Sequence, residues 1–61
     1  MSDYTAYILT QVYAEVALIE GMKIENQIRL QAGQHPAYGE KEFQASASTL
    51  TYLAGCINEN R

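Results

Sequence analysis

Residues 4–19, YTAYILTQVYAEVALI, are apolar almost all the way around a helix. The polar interruptions, Thr5, Thr10, Gln11 and Glu15, are few. A helix packed on one neighbour needs only a stripe of apolar side chains facing it. In a chain of 61 residues this stretch carries more apolar surface than one further helix can cover. The pattern therefore predicts a protein that buries itself against other chains.

Length points the same way. A domain near 60 residues buries only roughly 60% of its unfolded surface. Chains this small usually need a disulfide, a metal or a partner subunit. Cys56 is the only cysteine, so no disulfide forms within the chain. His35 is the only histidine, and structural zinc sites use Cys and His in fours. No metal and no cofactor is expected, which leaves partner subunits. The balance of 48% hydrophobic and 18% charged residues is globular rather than disordered. A net charge of −3 argues against direct nucleic-acid binding and against adsorption to anionic membranes. No apolar run approaches the ~20 residues of a membrane span. The opening MSDYTAY has no basic n-region, so no secretory signal is expected. With one unpaired cysteine, this predicts a reducing, cytoplasmic location.

The predicted fold is all-α: an antiparallel helical hairpin that assembles into a homo-oligomeric helical bundle. The first helix is read over about 3–32, the turn over about 33–39 and the second helix over about 40–58, as one domain spanning 1–61. Ser2 or Asp3 supplies the N-cap oxygen. Gly33 is the natural stop, and Pro36 cannot continue a preceding helix. Glu40 and Glu42 in the first turn of the second helix complement its dipole, and the terminal ENR is expected to fray. On the second helix Phe43, Ala47, Leu50, Ala54 and Ile57 recur at spacings of four and three, widened by Leu53. On the first, Ile8, Leu9, Val12, Val16 and Ile19 form one stripe. Tyr13, Ala17, Ile24 and Ile28 form another beside it, passing over Gly21.

At 1.5 Å per residue the first helix is ~45 Å long and the second ~30 Å. Folded with Glu40 beside Ala32, the second helix ends near Ala14. Residues 4–13 then project without an intrachain partner. Tyr4, Tyr7, Ile8, Leu9, Val12 and Tyr13, with Val16, are the expected oligomer or partner interface, and a two-fold dimer is the expected order. A rival reading makes YTAYILTQVY a strand, since β-branched and aromatic residues dominate it.

No constellation for catalysis emerges, and the chain is read as a non-enzyme. Glu15 and Glu20 do not share a helix face, Glu40 and Glu42 diverge, and no histidine lies near Cys56 to activate it. No phosphate-cradling glycine motif is present. The five tyrosines suit recognition surfaces, being rigid with a polar tip. Arg29, His35, Tyr38 and Lys41 fall near the turn and would suit an anionic ligand such as a nucleotide held between subunits.

The stretch Ile19 to Leu50 resembles small accessory proteins from the early regions of tailed phages and prophages. The likeness lies in Glu20-Gly21-Met22, Glu25-Asn26, Arg29, Gly33, Ala37-Tyr38-Gly39-Glu40 and Phe43, about half the chain. The resemblance implies a phage-encoded, non-essential protein acting in the host cytoplasm, and it implies no catalytic residue. The functional expectation is a small oligomeric protein that binds a host protein and inhibits or modulates it, including in anti-defence. The alternative is a sponge for a signalling nucleotide, and a third reading is mimicry of DNA by an acidic surface.

Overall fold

The computed structural model describes residues 2–59. It contains two helices, α1 over Asp3–Gln31 and α2 over Glu40–Glu59, packed against each other. Both expected helices form, and no strand occurs among the described residues. The stretch YTAYILTQVY is helical throughout: continuity with AEVALIEGMKIEN outweighs its local β-propensity. Glu59 still belongs to α2, while Asn60 and Arg61, also expected to fray, lie outside the described residues.

Both ends of α1 are set by local chemistry. Ser2 is the N-cap, its Oγ accepting from the Thr5 amide at 3.1 Å. At the other end Gly33 adopts φ +78°, where a Cβ would be strained. The amide of Gly33 donates to the Leu30 carbonyl at 3.1 Å, and that of Gln34 to the Arg29 carbonyl at 2.8 Å. This pair of bonds is the Schellman closure, and it reverses the chain. Helix α2 begins differently. Gly39 offers no capping side chain, but Glu42 reaches back and its Oε2 accepts from the Gly39 amide at 2.8 Å. That is the return half of a capping box.

The segment between the helices does not simply bridge their ends. It runs back along α1 until Tyr38 lies beside Asn26. There the Asn26 Nδ2 donates to the Tyr38 carbonyl at 2.8 Å, and the Tyr38 amide donates to Asn26 Oδ1 at 2.9 Å. One side-chain amide thus holds both polar groups of one backbone residue. Helix α2 therefore starts level with Asn26 rather than Ala32, about 9 Å further down α1. Its twenty residues then reach back to about the level of residue 6.

This overturns the overhang expected at residues 4–13. Ile8 is only 4% exposed and belongs to the core with Met22 and Leu53. The part of α1 that outruns its partner is the other end, residues 27–31.

The inner stripe of α1 is Thr5, Ile8, Val12, Glu15, Ile19, Met22, Asn26 and Arg29, all buried or half-buried, at alternating spacings of three and four. On α2 the inner line is Phe43, Ser46, Leu50, Leu53 and Ile57. Ala47 and Ala54, placed in that seam by periodicity, are exposed instead. Phe43, Leu50 and Ile57 stand seven apart, and the line through them can be completed on either side. Leu53 buries far more apolar area than Ala54, so the helix turns that side inward, with Ser46 following.

Replacing Asn26 with Ala removes both bonds and strands the Tyr38 backbone. The expected cost is about 1–3 kcal/mol in urea or thermal unfolding. Asn26→Asp should also destabilise, because an ionised carboxylate has no donor for the Tyr38 carbonyl.

Candidate functional site

The hairpin presents apolar surface rather than a cluster of reactive groups. Tyr4, Tyr7, Tyr13, Val16, Leu18, Ile24, Ile28, Leu30 and Tyr52 are all exposed, whereas only Ile8, Met22 and Leu53 among the described large apolar side chains are buried. Two exposed features are organised: a stripe along the back of α1 and a groove near the turn.

The stripe consists of Ala6, Thr10, Tyr13, Ala17, Gly21, Ile24 and Ile28. Its mean spacing is close to the helical repeat, so it runs parallel to the axis. It is not beside the inner stripe, as periodicity suggested, but opposite it. Ile8 and Ala17 differ by nine residues, which is two and a half turns. Tyr13 is 72% exposed, and Ile24 and Ile28 are each 56% exposed. The stripe carries no charged residue from Ala6 to Ile28. The Thr10 hydroxyl donates to the Ala6 carbonyl at 3.0 Å and is satisfied within the helix. Gly21 has open space where a side chain would stand.

The groove, of about 510 Å³, lies where α1 outruns α2. Lys23, Asn26, Gln27, Leu30, Gln31 and Phe43 line it. Leu30 is 59% exposed on its wall, and Phe43 is half-buried.

The residues expected at the interface are dispersed. Ile8 faces α2, Leu9 and Val12 are half-buried at its edge, and Tyr4, Tyr7, Tyr13 and Val16 are exposed on different sides of α1. The residues expected around an anionic ligand do not line the groove. Arg29 is half-buried, its Nε held by Glu25 Oε2 at 2.7 Å. Tyr38 is tied to Asn26 through its backbone. His35 and Lys41 are exposed in the turn and at the start of α2, and none of the four lines the groove. Sequence reasoning missed the groove because Asn26, Gln27 and Gln31 carry no apolar signal. Among the described residues no group of three His, Cys, Asp or Glu is placed to hold a metal ion. Cys56 is half-buried on α2, and no described helix is long and apolar enough to cross a membrane.

No protein-family model matches this chain, and no curated protein or solved structure matches it either.

Glu42 caps its own helix. The bond from the Gly39 amide, then that from its own amide, holds its pKa below the ordinary 4.5. A depressed carboxylate contributes stability that is complete above its ordinary pKa and is lost as pH falls through the lowered value. An NMR titration should find the Glu42 midpoint below 4.5. Glu42→Gln keeps an acceptor for Gly39 and should flatten that part of the acid limb.

Proposed function

We propose that this is a non-enzymatic binding protein of phage or prophage origin, which self-associates and acts in the host cytoplasm by covering a host protein and altering its activity. The observation that carries this reading is the surplus of exposed apolar surface. A compact domain of 61 residues has a radius of gyration of about 10.5 Å. This hairpin has 14.7 Å and is a flat rod with Cα extents of 47 × 17 × 8 Å. One layer of two helices leaves both broad faces open, whereas stable domains pack at least two layers around a core.

The groove at the turn end is the best candidate for the host partner. It is shallow and open to solvent, and its wall combines Leu30 and Phe43 with amide side chains. Such a lining accepts an apolar anchor with a polar rim, the usual anatomy of a protein contact. The resemblance of residues 19–50 to phage early-region accessory proteins supplies the setting, and anti-defence is one activity of that kind. The nucleotide-sponge reading draws less support, because Arg29 is engaged by Glu25 and none of the four residues lines the groove.

Affinity capture from host lysate with wild type and Leu30→Asp, compared by mass spectrometry, tests the reading. Leu30 is exposed, so the variant should remain helical by circular dichroism. A host protein retained by wild type and lost from Leu30→Asp is expected. Identical captured sets from the two would count against the groove as the contact.

A further inference from the structure

We propose that the back stripe of α1 is the self-association surface, and that two copies pack there antiparallel, α1 against α1, with the two-fold axis at Ala17. This specifies the self-association put forward above and rests on it. Three observations lead to a second copy as the occupant.

The first is area. A monomeric protein of 6.8 kDa exposes about 4,000 Å². This chain exposes 4690 Å². The excess of roughly 700 Å² is close to the ~800 Å² that each partner gives to a standard interface.

The second is shape. In a two-fold interface residue i meets j and j meets i. An antiparallel pair centred on Ala17 matches Ala6 with Ile28, Thr10 with Ile24, Tyr13 with Gly21, and Ala17 with itself. Each large side chain meets a small one. The open space over Gly21 lies opposite the exposed Tyr13 ring of the other copy. A parallel pair would set Tyr13 on Tyr13 and Gly21 on Gly21, which gives a clash and a void.

The third is charge. The stripe itself is uncharged from Ala6 to Ile28, and Glu20 flanks it within that span. In the antiparallel register the two Glu20 residues stand about 9 Å apart along the axis. In a parallel pair they would be level. The opposite face of α1 stays on α2, and the groove at the turn end stays open for a host partner.

Sedimentation and cysteine cross-linking test the proposal in a Cys56→Ser background. Wild type should sediment as a dimer at micromolar concentration. Ile24→Asp should weaken the dimer about a hundredfold or more, by placing a charge in an apolar contact. Gly21→Ile should weaken it at least about tenfold without loss of helicity, by filling the space Tyr13 needs. A mixture of Ala6→Cys and Ile28→Cys chains should form a disulfide between the two, while either chain alone should not. A monomeric wild type would overturn both the proposal and self-association. A dimer that cross-links in the single-variant samples and forms no disulfide between Ala6→Cys and Ile28→Cys chains in the mixture would overturn the antiparallel register alone. A dimer indifferent to both Ile24→Asp and Gly21→Ile would place the interface elsewhere.

Discussion

The Asn26–Tyr38 clamp decides where the two helices lie along each other. Helix–helix packing alone tolerates sliding by one heptad with modest loss, because both inner stripes repeat every seven residues. A side-chain amide bonded at 2.8 and 2.9 Å to both polar groups of one backbone residue does not tolerate sliding. It pins the start of α2 six residues below the end of α1. From that one choice follow the burial of Ile8, the closing of the N-terminal half of α1 and the groove beside Leu30. The Schellman closure at Gly33 makes the clamp reachable, since it turns the chain back along α1 rather than outward.

Placed this way, the hairpin satisfies its backbone but not its apolar surface. The inner stripe of α1 includes Glu15, Asn26 and Arg29, while Ile24, Ile28 and Leu30 face solvent. That inversion is uneconomical for an isolated pair of helices. It is coherent for a helix with two opposite packing faces, one held by α2 and the other free for a second chain. The apolar circumference of residues 4–19 then has an ordinary cause. On the proposed self-association, each half belongs to a different contact.

In the function proposed for this chain, surfaces rather than reactive groups carry the activity. The back stripe is long, straight and uncharged, and suits a like surface. The groove is short, shallow and amide-rimmed, and suits an anchor from an unlike one.

Helix existence, the stop at Gly33 and the acidic start of α2 were legible from residues 2–42, because caps and helix breakers act within a few residues of chain. The ion pair of Glu25 with Arg29 was legible for the same reason. The phase of α2 was not, since Phe43, Leu50 and Ile57 fit two seams and only packing against α1 chooses Leu53 over Ala54. Nor was the position of α2 along α1. A polar asparagine inside an apolar repeat gives no periodic signal, and its bonds reach twelve residues along the chain. Local chemistry settled that there are two helices, while the long-range amide clamp settled which faces they bury and which they leave open.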